Sequence, residues 1–418
     1  MRVLLIGAGT VGEAIARVAA GREWLEQMIV ADYDAARAEQ VGASAAQTAS
    51  AMGRPNQFQS MAIDASSAAS ITQAAQAHKA DLVMNAVDPQ FVMPIFNGAL
   101  AANVDYMDMA MSLSKAEPNA PYSRTGLKLG DEQFEKVADW QAAGRLALVG
   151  MGMDPGLTDV FAAYAAKHLF DKDGVAEVHV RDGGDLAIPG FAFAPVFSIW
   201  TTIEECLNPP VLWESGEWHT TEPFSAPEMF PFPDGIGEVE CVNVEHEEVL
   251  LVPRGLPSVR RVSFKYALGS DFIDKLKTIH ALGMDRTDRV RVKGVEVAPR
   301  DVLAAITPDP AKMGDQMTGR AIVGTWVMGT HEGRPREVYL YQTTDAQQCW
   351  RDLGLGAVAW QTGFNPVIAM ELLATGAWTG SGVLGPEAFD PDPYLALLDQ
   401  YGIHHAVTDM EPGRHRPT

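Results

Sequence analysis

Cysteine is scarce: Cys206, Cys241 and Cys349 are an odd, scattered set without C-x-x-C spacing, which excludes a disulfide framework and a cysteine-built zinc site. Basic residues are outnumbered, 32 Lys and Arg against 54 Asp and Glu, for a net charge of −22. A field of that sign repels nucleic acid and anionic membrane surfaces and draws in cations, although an acidic surface that merely serves solubility has the same composition. No apolar run reaches the roughly 20 residues that a bilayer-spanning helix needs. Met1-Arg2 leads straight into an apolar stretch with no room for a signal peptide. The expectation is a cytoplasmic protein with reduced thiols. His179, His219 and His246 fall on different expected elements, so no metal is expected, and no G-x-S-x-G or Cys/His arrangement supports a hydrolase.

What is present begins at Val3. Val3-Leu-Leu-Ile6 reads as a buried parallel strand, followed by Gly7, Gly9 and Gly12 at G-x-G-x-x-G spacing. Gly7 permits the tight turn, Gly9 removes the Cβ that would block a pyrophosphate, and Gly12 lets the next helix approach the sheet. The amides of Thr10 and Val11 then lie at a helix N-terminus, which attracts phosphate. A second strand ends at Asp32, 20 residues beyond Gly12, where a carboxylate accepts ribose hydroxyls. The alternative is a glycine-rich turn in an α/β domain with no cofactor.

At 418 residues, a prior of about 150 per domain gives two or three domains. Through residue 150 strands and helices alternate, with strands at 58–63, 81–87, 104–107 and 146–149, helices at 35–52, 91–102 and 131–142, and a helix capped by Ser66 or Ser67 running to 77. That pattern specifies a doubly wound Rossmann sheet, whose ligands sit beyond the carboxyl ends of the strands. The rule selects Asp64, Asn85, Ala86 and Val87 for the cofactor, and Asp108 and Asp154 for the chemistry. Residues 151–351 read as an inserted α+β domain on a mostly antiparallel sheet, with strands near 178–180, 239–244, 248–252, 259–266, 290–297 and 338–342 and helices near 199–207, 272–282 and 299–305. Residues 352–418 read as helices returning to the first domain. Pro366 should kink or divide the helix over 357–374, and 411–418 should lack order.

The combination of GAGTVG, Ala31-Asp32-Tyr33-Asp34, Val104-Asp-Tyr-Met-Asp108, Met153-Asp-Pro-Gly-Leu-Thr158, Thr362-Gly-Phe-Asn-Pro366 and Gly382-Val-Leu-Gly-Pro-Glu387 resembles the saccharopine dehydrogenase superfamily. The resemblance implies a Rossmann domain interrupted by an α+β insertion, a homodimer formed through the insertion's sheet, and oxidation or reduction at a carbon–nitrogen bond. It runs nearly end to end but is faint across the insertion. Members that use NADP tend to carry Arg, Ser or Thr after the second strand, and the carboxylate of Asp32 repels a 2′-phosphate, so NAD is expected over NADP. The Asp32 region is similar to lysine 6-dehydrogenase, whereas Met153–Thr158 and Trp213-Glu-Ser-Gly-Glu-Trp218 are more similar to carboxynorspermidine dehydrogenase. The first expectation is an NAD-dependent oxidoreductase acting on a CH–NH or CH–NH2 group of a small cationic amine or basic amino acid, lysine first. The alternatives are reductive condensation of an aldehyde with an amine, and a homospermidine-synthase-like transferase that recycles bound NAD.

Such chemistry needs a proton acceptor or donor, for which His246 in Val244-Glu-His-Glu-Glu248 is the candidate, imidazole titrating near neutrality; the other reading is a polar, solvated strand face. Asp108 either holds the substrate ammonium or caps the sheet rim, and Asp154 either contacts the amine or caps the next helix. Arg254 and Lys265 are candidates to clamp a substrate carboxylate, against the alternative of ordinary surface charges. Trp200, Trp213 and Trp218 wall a pocket or belong to a core or interface.

Overall fold

The computed structural model describes all residues of the chain except 192, 416 and 418. Its first part contains β1 (Arg2–Ile6), α1 (Thr10–Ala19), β2 (Gln27–Asp32), α2 (Ala35–Ala51), β3 (Phe58–Ala62), α3 (Ala68–Ala77), β4 (Leu82–Asn85), α4 (Val92–Ala102), β5 (Asp105–Met107), α5 (Asp131–Phe134), α6 (Val137–Ala143) and β6 (Leu146–Leu148). Next come α7 (Leu157–His168), β7 (Val175–Gly184), α8 (Ile199–Leu207), β8 (Val211–Glu214), β9 (Glu217–Thr220), β10 (Glu228–Phe232), β11 (Gly237–Asn243), α9 (Glu248–Gly255) and β12 (Arg261–Tyr266). The rest is α10 (Ser270–Ala281), β13 (Val290–Val292), β14 (Val295–Val297), α11 (Pro299–Ile306), β15 (Arg320–His331), β16 (Arg334–Asp345), α12 (Ala346–Leu353), α13 (Ala357–Thr375), β17 (Gly382–Leu384), α14 (Pro391–Gln400) and β18 (Ala406–Met410).

Seven strands form a parallel sheet in the order β17-β6-β5-β4-β1-β2-β3. Because helices cover both faces, its central strands must be apolar on both sides, and Val3 through Ile6 are fully buried. Helix starts follow their caps: Asp34 accepts from the Ala36 amide at 2.9 Å and Ser67 from the Ser70 amide at 3.2 Å. A second, nine-stranded sheet has the main order β10-β11-β12-β7-β15-β16-β18, with β8 and β9 to one side. Only its β12–β7 pair is parallel among the described pairings. The fold is therefore α/β, a doubly wound sheet plus a mostly antiparallel one. Among the described residues no helix is long and apolar enough to cross a membrane.

The end of the chain serves both sheets. β17 pairs in parallel with β6, and β18 pairs with β16. Helix α13 lies on α1 so closely that a Cβ at Gly363 would stand 2.6 Å from the Ala14 Cβ, a separation no larger residue tolerates.

Several expectations are corrected. The stretch 248–252 lies in α9, not a strand. Val249–Val252 are all buried, and an apolar run that short carries no period with which to separate strand from helix. The stretch 290–297 is a hairpin of two strands, turned at Lys293 and Gly294, both with positive φ. Pro366 does not divide α13, where the Asn365 side-chain amide donates to the Gln361 carbonyl at 2.6 Å. Strands β17 and β18 were not foreseen. Of the stretch expected to lack order, 416 and 418 lie outside the described residues, while the Gly413 amide donates to Glu337 at 2.7 Å.

Candidate active site

The glycine turn after β1 has one open face. A Cβ at Gly7, where φ is +109°, would meet the Ala86 carbonyl at 2.3 Å, and one at Gly12 would meet the Gly7 carbonyl at 2.0 Å, yet at Gly9 nothing lies within 4 Å. Gly7 and Gly12 are therefore fixed by the protein itself, and Gly9 leaves space beside the N-terminus of α1. No side chain caps that helix, so the amides at Thr10 and Val11 face the open side. Asn85 shapes the neighbouring loop: its Oδ1 accepts from the Val87 amide at 3.2 Å, and its Nδ2 donates to the Tyr106 hydroxyl at 3.1 Å. These residues fit the pyrophosphate of a dinucleotide.

Asp32 is buried at the end of β2 and accepts from the Ala8 amide at 2.7 Å and the Asp34 amide at 3.0 Å. Arg37 reaches over the same turn, its Nε donating to the Ala8 carbonyl at 2.6 Å, and its terminal nitrogens make no hydrogen bond among the described residues. Asp64 stands apart. It is exposed after the edge strand β3 and spends its Oδ1 on the amide and hydroxyl of Ser66, which hold its carboxyl below the usual range.

At the carboxyl end of β5, Asp108 is buried and fully engaged. Its Oδ1 accepts from the Gly150 amide at 2.7 Å, and its Oδ2 from the Tyr106 hydroxyl and the Gln133 side-chain amide, both at 2.8 Å. Burial pushes its pKa up to about 7 against these three bonds. Asp108 ties β5 to the glycine-rich turn 150–156 and to α5 rather than presenting a free carboxylate.

That turn carries Asp154 towards the second sheet, where acids from several elements meet. The β12–β7 register sets Tyr266 beside Asp182 and Phe264 beside Val180. The His246 ring stacks on Phe264 at 3.7 Å between centroids and 10° between planes. Its Nδ1 bonds Glu248 at 2.6 Å and lies 3.5 Å from Glu247, which leaves Nε2 for a substrate proton. Glu248 also accepts from the Thr158 hydroxyl at 2.9 Å, Glu247 from the Met111 amide at 3.1 Å, and Glu245 from Ser114 at 2.8 Å and Asn208 at 3.0 Å. The Glu245 amide donates to the Glu205 carbonyl at 3.0 Å, drawing the end of α8 into the group.

The electrostatics follow from crowding. Burial, reinforced by Asp182, raises Asp154 well above the carboxylate range. Burial raises Asp182 to about 7, and Glu205 and Glu245 to about 8. Burial opposes the charge of His246, but Glu248, Glu247 and Asp154 overcome it and hold the imidazole well above 6.5. No Lys or Arg forms an ion pair with Asp154, Asp182, Glu205, Glu245, Glu247 or Glu248 among the described residues; His246 is the cation in their midst.

The structure thus brings Asp154 and His246 together and keeps Asp108 nearby as a brace. The reading of 244–248 as a solvated strand face is corrected, since all five residues are buried. Lys265 does not reach the site. Strand alternation puts it on the opposite face of β12 from Phe264, buried with its Nζ on the Ala226 carbonyl and on Glu228 at 2.9 Å, beside Arg181. Arg254 ends α9 with its guanidinium 3.8 Å over the Phe134 ring and 5.8 Å from the Trp218 ring, near Glu387 and Asp131. Asp182, Glu205 and Tyr266 were missed by sequence reasoning, which took the acids of 244–248 only as neighbours that tune His246. The one available signal was Asp182 itself, an acid at the position of β7 that follows Val178 and Val180 on their apolar face.

A doubly wound sheet with an open glycine turn, joined to a second sheet that carries a buried histidine and acids, defines a dinucleotide-binding oxidoreductase. Profile comparison matches residues 3–148 to the saccharopine dehydrogenase NADP-binding domain and residues 152–403 to the saccharopine dehydrogenase C-terminal domain. The chain belongs to the saccharopine dehydrogenase family, as its motifs led us to expect. It is similar to carboxyaminopropylagmatine dehydrogenase of Synechocystis sp., 29% identical over 415 residues that cover 98% of this chain and 99% of that one. It is similar also to carboxynorspermidine synthase of Vibrio alginolyticus, 28% identical over 424 residues covering 99% and 98%. Saccharopine dehydrogenase (L-Glu forming) of Saccharomyces cerevisiae shares the fold, with a TM-score of 0.68 at 15% identity over 98% of this chain and 100% of that chain.

Proposed function

We infer that the protein is a pyridine-dinucleotide-dependent oxidoreductase working at the carbon–nitrogen bond of a polyamine-like substrate with more than one cationic nitrogen, in the direction that reduces an imine formed from an aldehyde and an amine. The observation that carries this reading is the group of six buried or half-buried acids around His246 without a Lys or Arg ion-pair partner among the described residues. Burying that much like charge is unfavourable unless cations arrive with the ligand. A lysine-like substrate brings one side-chain ammonium, and its carboxylate demands a protein cation. Lys265 is turned away, and Arg254 is the remaining candidate for a substrate carboxylate. The names of the two similar proteins, which refer to agmatine and norspermidine derivatives, lend weight to a polyamine over lysine.

His246 supports the reductive direction. Held protonated by its acidic neighbours, the imidazole acts at neutral pH as a donor, which an imine nitrogen needs as its double bond is reduced. Phe264 fixes the ring by stacking and Glu248 fixes its tautomer through Nδ1. Asp154, Asp182 and Glu205 hold the cationic nitrogens, with the Tyr266 hydroxyl beside them. A nicotinamide dinucleotide bound at the glycine turn supplies or accepts the hydride.

For the cofactor, the charge of Asp32 supports NAD. Arg37, with its terminal nitrogens uncommitted at the same rim, supports a second reading in which NADP is accepted through its 2′-phosphate. The test is NADH or NADPH oxidation by the purified protein with an amino-acid aldehyde supplied together with diamines or agmatine, and in the reverse direction with lysine and saccharopine. Turnover with the aldehyde–amine pair is expected; turnover only with lysine or saccharopine overturns the polyamine assignment. Product formed without net change in absorbance at the NADH band would identify the transferase alternative. In the same assay Arg37→Ala is expected to raise KM for NADPH about tenfold or more while leaving NADH unchanged. Equal effects on both cofactors would exclude Arg37 from phosphate recognition.

A further inference from the structure

Between β5 and α5 the chain leaves the first sheet as a loop that fastens onto the second. Lys115 and Leu127 exchange backbone hydrogen bonds at 2.8 and 3.0 Å, which close residues 115–127 into a strap. Its neck is tight, since a Cβ at Gly126 would stand 2.1 Å from the Lys115 carbonyl. The Thr125 hydroxyl donates to the Trp218 carbonyl on β9 at 3.1 Å, the Thr220 hydroxyl donates to Thr125 at 3.0 Å, and the Ser114 hydroxyl donates to Glu245 at 2.8 Å. Under the strap lies a small pocket with Leu127 and Val211 among its apolar walls and Ser114, Thr125, Thr220 and Glu245 as polar lining. It encloses about 10 Å³, roughly the space that one water-sized group requires.

The hydrogen bonds of this lining have a direction. Each of the three hydroxyls spends its one proton on the protein, so that only lone pairs remain for a ligand. Glu245 is 3% exposed. Its Oε2 accepts from Ser114 and, at 3.0 Å, from the Asn208 side-chain amide, whereas its Oε1 makes no hydrogen bond among the described residues. Of the two lysines at the rim, Lys128 pairs with Asp131 at 2.8 Å and Lys115 is exposed; among the described residues neither forms an ion pair with Glu245. A pocket that offers acceptors calls for a group that is all donor, and an ammonium has three donors and no acceptor. A guanidinium is also all donor, but its planar fork is matched by both oxygens of a carboxylate. Here one oxygen is already taken and the space is a single group wide.

We propose that the pocket under the strap is the subsite for the terminal primary ammonium of the substrate's amine half, and that it selects an unbranched diamine over the same chain ending in a guanidinium. Glu245 and His246 are consecutive, their Cα atoms about 3.8 Å apart, and their side chains part: His246 goes to Phe264 and Glu248, Glu245 goes under the strap. A short alkyl chain spans the two, with Leu127 and Val211 against its methylenes. Asp154, Asp182 and Glu205 are left to the nitrogens nearer the reacting bond. The inference rests on the polyamine reading above and narrows it to one kind of amine.

The experiment titrates the full-length protein by calorimetry with three amines of one chain length, butylamine, 1,4-diaminobutane and agmatine, in the presence of NAD and of NADP in turn. It is run at pH 8.5, above the value of about 8 to which burial raises the Glu245 carboxyl. In the wild type the diamine is expected to bind about tenfold or more tighter than either butylamine or agmatine, the worth of one charge-assisted hydrogen bond. Glu245→Gln should remove the advantage of the diamine over butylamine and leave the Kd of butylamine unchanged. Leu127→Ala, which widens the pocket, should tighten agmatine severalfold without tightening butylamine. Agmatine bound by the wild type as tightly as the diamine refutes the subsite, as does a Glu245→Gln variant that weakens diamine and butylamine equally; in both cases the polyamine reading stands. If Glu245→Gln does not fold, the wild-type comparison and Leu127→Ala decide, and agmatine binding unchanged in Leu127→Ala refutes the subsite. If the wild type binds no diamine at all, the polyamine reading falls and the subsite falls with it.

Discussion

Replacing His246 with Gln is expected to lower kcat by about two to four orders of magnitude, the range that general acid–base groups contribute, and to leave the dinucleotide Kd unchanged. The glycine turn and Asp32 lie on the first sheet, and His246 makes its contacts with α9 and β12, so the substitution touches nothing that holds the cofactor. Gln preserves a donor towards Glu248 and stays polar among acids, but it cannot carry a mobile proton. The pH profile separates this loss from a loss of shape. With protonated His246 as the donor, kcat/KM for imine reduction is highest at low pH and falls as pH rises through the raised imidazole pKa. The oxidative direction shows the opposite slope. The variant should lose that limb of the profile and retain whatever residual rate remains at all pH values. A variant with wild-type kcat, or one whose profile still bends at the same pH, would remove His246 from the chemistry and return attention to Tyr266. Expected in parallel is a smaller kcat loss for Asp154→Asn with a larger rise in amine KM, because a group that holds the cation acts on both ground and transition state.

Much of the first sheet was legible because a parallel strand buried on both faces is written as an uninterrupted apolar run, and Val3–Ile6, Met28–Ala31 and Leu82–Met84 are such runs. The glycine turn was legible because its spacing is a contiguous motif, even though the atom that fixes Gly7, the Ala86 carbonyl, comes from the end of the neighbouring strand β4. What failed was information spread over distance. β17 is three residues long and becomes a strand only because β6 offers an edge more than two hundred residues earlier in the chain. The run Val249–Val252 is buried on every side, so no polar positions betray its helical period. The acid group shows the same difficulty in its sharpest form. Asp154 comes from a turn, Asp182 from β7, Glu205 from α8 and Glu248 from α9, and each sits in a local sequence where an acid reads as surface. Charge that is scattered in the sequence and concentrated in space is visible only after the sheet register places Tyr266 and Phe264 beside Asp182 and Val180. Lys265 is the converse. The alternation of a strand, applied to its neighbour Phe264, would have sent it to the far face had the direction of Phe264 been known.

The concentration of acids gives the second large effect, on stability. The unliganded protein is expected to lose stability steadily from about pH 5 to about pH 8.5, and its melting temperature to fall by about 5–10 °C over that interval. The unfolded chain releases its carboxyl protons near pH 4, whereas the folded chain keeps them on Asp108 and Asp182 to about 7 and on Glu205, Glu245 and Glu387 to about 8. Between those limits the folded state binds more protons than the unfolded state, so the derivative of unfolding free energy with pH is negative. The stability these groups contribute is complete below about pH 4 and is lost as pH rises through 7 and 8. His246 acts in the same direction, its raised pKa favouring the folded state below the ordinary histidine value and ceasing to do so above its own. A tenfold difference in proton affinity between the folded and unfolded chain is worth about 1.4 kcal/mol, so Glu245 alone, 3% exposed, costs up to about 5 kcal/mol at alkaline pH. The neighbours titrate together, and the sum is smaller than the parts. Two controls tie the effect to this cluster rather than to the overall charge of −22. Glu245→Gln should flatten the pH dependence, since an amide keeps the hydrogen bond with Ser114 and has no charge to bury. A short diamine added at saturating concentration should raise the melting temperature several degrees more at pH 8.5 than at pH 5.5, because it binds the ionised cluster and has little to pair with when the acids are neutral. A melting temperature that is flat or rises with pH, or a diamine effect that is equal at both ends, would mean that these carboxylates are not the cation site from which the substrate assignment was argued.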